Sequence, residues 1–167
     1  MTWNGETITY PEVFLRPGQV AYVAQLPRVP SGSFADNVGL DHDRAVGPAI
    51  ESARLHLDVE DAGGAHALVG HRGVRLSGGQ VQRIALARAL AADAELLVAD
   101  DVSSALDART EIELWTALRD RGITVVGTSA KRAALSRADL VVVLEDGRVA
   151  ATGTWAELGE EWGHLAA

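Results

Sequence analysis

Cysteine is missing from all 167 residues, which excludes disulfides and thiolate metal sites and makes the reducing cytosol a compatible compartment. Lysine is nearly missing too, Lys131 being the only one. No basic cluster builds up anywhere. With 23 acidic against 15 basic residues and a formal charge of −8, the chain is a poor candidate for holding DNA or RNA by the phosphates. Long apolar runs are absent as well. The longest, Leu140–Leu144 and the arginine-interrupted Ile84–Ala92, cannot cross a bilayer, so any membrane association is expected through a partner. The start, Met1–Glu6, has neither the basic region nor the apolar run of a secretory signal. A phosphate-binding G-x-x-x-x-G-K-[ST] stretch occurs nowhere, and Lys131 lies far from any glycine loop. What is present, 47% apolar residues over a length suited to one domain, is enough for a single core.

Strands alternate with helices along the chain. Turn signals at Trp3-Asn4-Gly5 and Arg16-Pro17-Gly18 precede a strand over Val20–Ala24 that ends in Gln25. Pro27 and Pro30 break the chain, and Ser31-Gly32-Ser33 caps a short helix over Phe34–Leu40. Asp41 or Asp43 then caps a longer helix, with Val46, Ile50, Ala53 and Leu57 recurring at helical spacing on its buried face. After a loop at Asp61–Gly64, Val69–Gly73 leads into a helix that ends near Ala92-Asp93. A buried-type strand, Glu95–Ala99, closes in Asp100-Asp101. It is followed by a helix over Arg109–Arg119, with Ile112, Leu114, Trp115 and Leu118 toward its apolar side, and by a strand over Ile123–Val126. Val141–Leu144 and Arg148–Ala151 form a hairpin around Glu145-Asp146-Gly147, and a terminal helix starts near Thr154. This alternation predicts an α/β fold with a mostly parallel sheet covered on both faces.

Chemistry concentrates at Leu76-Ser77-Gly78-Gly79-Gln80. Two glycines behind a serine, feeding straight into a helix, let a ligand approach the backbone. The first free N–H groups of the helix and its positive dipole end then face an anion placed there. Sixteen residues on, Leu96-Leu97-Val98-Ala99-Asp100 is an apolar strand whose tip presents a carboxylate, followed by Asp101 and by Ser103-Ser104-Ala105-Leu106-Asp107. Together with Gln25 and the closing Ala138–Val149 segment, these stretches resemble the ATP-binding cassette (ABC) ATPases of exporter type, in the family's order and over nearly the whole chain.

The resemblance implies a P-loop NTPase fold of ABC type with a helical subdomain, incomplete at its N-terminus. One partial domain is expected over 1–167, with about 26–76 as the helical subdomain and 1–25 and 77–167 as the α/β core. By the same resemblance Leu76, Ser77, Gly78, Gly79 and Gln80 are the signature motif, Asp107 closes the D-loop, and both serve ATP held by a second ABC ATPase subunit. Asp100 and Gln25 hold Mg²⁺ on the phosphates, Gln25 also touching the bound nucleotide site. Val69–Gly73 resembles the loop before the signature, with His71 as a plain loop side chain. Transmembrane transporter domains are the other implied partners, placing the chain peripherally on the cytoplasmic face of the membrane.

Three departures weaken the chain's own site. The P-loop that normally precedes Gln25 is expected to lie outside the chain, Trp3-Asn4-Gly5 resembling the turn that follows it. Asp101, one methylene shorter, stands where the family has the glutamate that orients the attacking water, and Ala130 stands where it has a histidine. Asp101 is therefore the candidate catalytic residue of a chain expected to hydrolyse little or no ATP alone. What serves a partner's nucleotide is intact. An alternative is a truncated or non-catalytic subunit that only docks on transmembrane partners. An ABC-type ATPase of chromosome or repair complexes ranks lower, since neither long coiled coils nor a basic path is present. With a strand missing from the sheet, the isolated chain is expected to be marginally stable and prone to aggregate.

Overall fold

A computed structural model describes residues 1–40, 42–70 and 75–166. The chain opens on a small hairpin, β1 (Thr2–Trp3) and β2 (Glu6–Thr7). Asn4 and Gly5 at its tip both have positive φ (48° and 85°), as a type I′ turn requires. A single-turn helix α1 (Pro11–Phe14) precedes β3 (Val20–Val23). Next come β4 (Gly32–Ser33), α2 (Phe34–Gly39), α3 (Val46–Ser52), α4 (His56–Asp61) and β5 (Leu68–Val69). The second half carries α5 (Gly78–Ala91), β6 (Leu96–Asp100), α6 (Ala108–Asp120), β7 (Thr124–Thr128) and α7 (Arg132–Leu135). It closes with β8 (Val141–Glu145), β9 (Arg148–Gly153) and α8 (Trp155–Trp162).

The central sheet is α/β in character: β3, β6 and β7 run parallel in that order, with Val23 opposite Ala99 and Asp100 opposite Thr128. Its carboxyl ends therefore gather the residues after Val23, Ala99 and Thr128 on one rim, where open parallel sheets place their ligands. Helix α5 is the hub. Ile84, Leu86 and Leu90 are fully buried, each contributing roughly 1.5–3 kcal/mol. Its many buried alanines let α2, α3 and β3 approach closely. Arg88 fastens α5 to α2, its Nε donating to the Asn37 carbonyl at 2.7 Å and its Nη2 to Asn37 Oδ1 at 3.3 Å.

Several expectations fail. The single helix over Val46–Leu57 is two helices. Ala53 ends α3 and Arg54 turns left-handed (φ 55°), with Leu55 N donating to Ile50 O and Arg54 N to Glu51 O. This is the crossed pair of bonds that closes a helix C-terminus, normally around glycine. Leu55, fully buried, replaces Leu57, which is 62% exposed. The capping residue is Ala45, without a side-chain bond, so Asp43 does not cap; Asp41 lies outside the described residues. Nor, among the described residues, is the sheet covered on both faces. Ala21, Val23, Leu97 and Ala99 point into the core, but the alternate row across the strands, Tyr22, Val98 and Val126, does not. Tyr22 and Val126 are 61% and 59% exposed, because the helices that reach the sheet are packed on its other side. On α6, Leu114 and Leu118 are buried as expected, whereas Ile112 faces out.

The terminal hairpin turns at Asp146-Gly147, both with positive φ, and Thr154 caps α8 with Glu157 reaching back. Among the described residues no helix is long and apolar enough to cross a membrane.

Candidate functional site

The first turn of α5 is closed by a reciprocal capping box. Gln80 N donates to Ser77 Oγ (3.2 Å) while Ser77 N donates to Gln80 Oε1 (2.8 Å), which fixes the helix start at the two glycines. Gln80 is itself held, its Nε2 donating to Asp58 Oδ1 at 2.8 Å, and Arg83 donates to the other oxygen of Asp58 at 2.8 Å. Asp58 on α4 thus orients the Ser77–Gln80 turn. Ser77 and Gly78 face solvent and Gly79 is buried. Leu76 is half-buried and packs against the core.

The segment Val102–Asp107 runs beside this turn. A Cβ added at Gly78 would lie 3.6 Å from Ala105 Cβ, and one at Gly79 only 3.1 Å from the Ala105 carbonyl. Gln82, buried on α5, ties the two together: its Nε2 donates to Ser104 Oγ at 2.8 Å, and its Oε1 accepts from Ala105 N at 3.1 Å. Val102, Ser103 and Leu106 are buried while Ser104, Ala105 and Asp107 are exposed. Asp107 caps α6, accepting from Arg109 N, Thr110 N and the Thr110 hydroxyl. The Thr110 bonds, backbone first, hold its carboxyl below the usual aspartate value.

On the rim of the sheet stand Gln25, Asp100 and Asp101. Thr128 Oγ1 donates to Asp100 Oδ1 at 2.8 Å and accepts from Asp101 N at 3.1 Å. Asp101 is left-handed (φ 49°), a conformation that aspartate tolerates better than most residues and that clusters at functional sites. Its carbonyl accepts the Ser104 hydroxyl at 2.9 Å, linking the rim to the segment Val102–Asp107. Gln25 is exposed just past β3. Oxygen donors of this kind suit a hard cation such as Mg²⁺. Among the described residues, however, no three acidic or histidine side chains cluster into a cage, so the donors fit a cation carried in chiefly by phosphates. The turn at Ser77–Gly79 fits the anion better, offering a hydroxyl and the first helical N–H groups at an exposed glycine.

A family model described as ABC transporter matches residues 1–104. The chain belongs to the ABC transporter family. This ABC chain is of exporter type and falls within the ATP-binding domain; members of the family bind ATP, typically with Mg²⁺. It is 37% identical over 152 residues to the multidrug resistance-like ATP-binding protein MdlA of Escherichia coli, covering 87% of this chain and 26% of that protein. It is 44% identical over 156 residues to the ATP-dependent lipid A-core flippase of Alkalilimnicola ehrlichii, covering 89% and 26%. ABC transporter B family member 1 of Dictyostelium discoideum matches at 35% over 167 residues, covering 95% and 18%. The ABC chain thus spans about a quarter or less of these curated relatives. Among solved structures, that of a bacterial Atm1-family ABC exporter with ATP bound superposes with a TM-score of 0.79 at 27% identity, covering 90% of this chain and 29% of that one.

Four residues outside the sequence-read motifs turn out to hold the site: Asp58, Gln82, Glu111 and Lys131. Their partners lie 8 to 28 residues away, and no local pattern marks them. His71, with Arg72 and Gly73, lies outside the described residues.

Proposed function

We propose that this ABC chain supplies its signature motif, Leu76–Gln80, and its D-loop, Ser103–Asp107, to ATP held jointly with a second ABC ATPase subunit, homo- or heteromeric. Coupled to transmembrane domains at the cytoplasmic face of a membrane, that hydrolysis drives transport. The observation that carries this is the shared surface. Exposed Gly78, next to exposed Ser77, adjoins exposed Ala105, next to exposed Ser104, with the Gly78 position 3.6 Å from Ala105 Cβ, so one surface presents both elements outward. In this reading 1–167 is one partial domain, its helical part at about 26–76, and the rest is the α/β core.

Within the pair, the Ser77 hydroxyl and the N–H groups of Gly78 and Gly79 bind phosphate oxygens, and the helix dipole stabilises their charge. Mg²⁺ with its nucleotide supplies charge neutralisation at the phosphates. Asp100 and Gln25 are the residues that would hold it here, the Thr128 hydroxyl orienting Asp100. Asp101 occupies the catalytic position with a carboxylate drawn back by one methylene, and Ala130 brings no imidazole, so turnover at this chain's own site is slow or nil. A mixing experiment tests the proposal. A complete ABC ATPase subunit is assayed with and without this chain. Wild type should change its Mg-ATP turnover, and Ser77→Arg, which places a bulky cation in the phosphate position, should abolish the change. If the partner's rate ignores both forms, the chain is a docking subunit only.

A further inference from the structure

The only lysine lies on none of the motifs above, yet its side chain is fully engaged. Lys131 Nζ donates to the Ser103 carbonyl at 2.7 Å and to the Leu106 carbonyl at 2.9 Å, and stands 3.6 Å from Glu111 Oε2. Glu111 is only 2% exposed, and its other oxygen accepts the Ser103 hydroxyl at 2.7 Å. Ser103 itself is completely buried. A carboxylate this deep needs both a counter-charge and hydrogen bonds, and here each group satisfies the others.

The two carbonyls that Lys131 grips belong to the inward half of the D-loop, whose outward half, Ser104 and Ala105, faces solvent beside Ser77. From the opposite side Gln82 holds Ser104 and Ala105. Lys131 directly follows the stretch leaving β7, where Ala130 has nothing beyond Cβ to extend toward a ligand. That stretch is attached instead to the D-loop.

We propose that Lys131 is a positioning residue: it bolts the segment after β7 onto Ser103 and Leu106, so that Ser104, Ala105 and Asp107 are offered to the partner in one pose set by protein contacts alone. This rests on the composite-site reading given above. Neutralising Lys131 removes the D-loop's inner anchor, leaving Gln82 on its outward half, and leaves the signature helix in place.

The test uses the full chain co-expressed with a complete ABC ATPase subunit, as wild type, Lys131→Met, Lys131→Arg and the double variant Lys131→Met with Glu111→Gln. The double variant removes the stranded buried charge and so guards against simple unfolding. Two quantities are read: amide hydrogen exchange over residues 102–107 against that of α5 and β6, and Mg-ATP turnover of the complex. In Lys131→Met and the double variant, exchange at 102–107 should speed up by roughly tenfold or more with α5 and β6 unchanged. Their kcat should fall on the order of ten- to a hundredfold with KM held, since misplacement and not binding is the defect. Lys131→Arg, which keeps charge and donors, should restore both. Normal kcat in the folded double variant, exchange that rises evenly across the chain, or no rescue by arginine overturns the proposal. A Ser77→Arg control separates the two claims. If it leaves turnover untouched, the composite site falls, and the exchange pattern alone decides whether Lys131 sets the D-loop.

Discussion

Gly78 and Gly79 are neighbours in sequence, share the first turn of α5, and have φ values that alanine adopts freely. Alanine at either gains the same helix propensity, at most about 1 kcal/mol and less this near an end. What differs is the space. At residue 78 a methyl group meets Ala105 Cβ at 3.6 Å, an ordinary contact. At residue 79 it meets the Ala105 carbonyl at 3.1 Å and Arg83 Nη1 at 3.3 Å. Arg83 can yield a little, although its bond to Asp58 resists it. The carbonyl is backbone, and Ala105 is pinned through its own N–H by Gln82. Overpacking against fixed atoms costs about 1–3 kcal/mol. Gly78→Ala is therefore expected to be neutral or stabilising, and Gly79→Ala to be less stable than it by about 1–2 kcal/mol. For a domain this size that corresponds to a gap in Tm of about 3–6 °C. Far-UV circular dichroism melts in one buffer read the gap, and urea titrations check that m is unchanged. Gly79→Ala melting at or above Gly78→Ala would refute the claim that the backbone of Val102–Asp107 is held against α5.

Other outcomes follow from single contacts. Arg54→Gly relieves a left-handed arginine and should raise the urea midpoint by the equivalent of about 1 kcal/mol, the long 3.4 Å bond to the Glu113 carbonyl being a small loss. Arg88→Ala removes the bonds that join α5 to α2 and strands the buried carbonyl of Asn37; a loss of about 2–3 kcal/mol in urea unfolding is expected. Acid should loosen the helix starts. Asp36, Asp107 and Glu157 are each held below their ordinary values, by Ser33, Thr110 and Thr154 respectively. A lowered folded pKa stabilises above the ordinary range and is lost as pH falls through and below it, here from 4.5 downward for Glu157 and from 3.8 for the aspartates. Urea midpoints between pH 5.5 and 3 should drop, and Asp107→Asn, which caps without titrating, should drop less.

Much of this molecule was readable because its signals are local. Asn4-Gly5 and Asp146-Gly147 dictate tight turns by backbone sterics, and Ser33, Ser77 and Thr154 cap helices by bonds three residues long. The parallel arrangement of β3, β6 and β7 followed from alternating elements. What stayed illegible depends on partners far along the chain. The break at Arg54 has no glycine to announce it, and the apolar spacing runs straight through to Leu57. Which sheet face is bare is decided by where the helices settle, and nothing within Tyr22 or Val126 encodes that. Gln82 and Lys131 look like surface residues of helix and loop until the segment Val102–Asp107 is folded against them. Among the described residues, β3 and β7 are the two edges of the three-stranded sheet, and Tyr22 and Val126 stand exposed on one of its faces.

Helix α5 is a rod of 14 residues, about 21 Å long, gripped along its flanks by α2, α3 and β3 and carrying Ser77 at its solvent-facing tip, which Asp58 and residues 104–105 hold from the side. Rods magnify. A tilt of about 3° about the far end carries the tip through about 1 Å, a displacement large enough to cost on the order of a hundredfold in a reaction that depends on aim. Small slippage between helices and sheet, too slight to notice in the core, is thereby delivered in full at the serine.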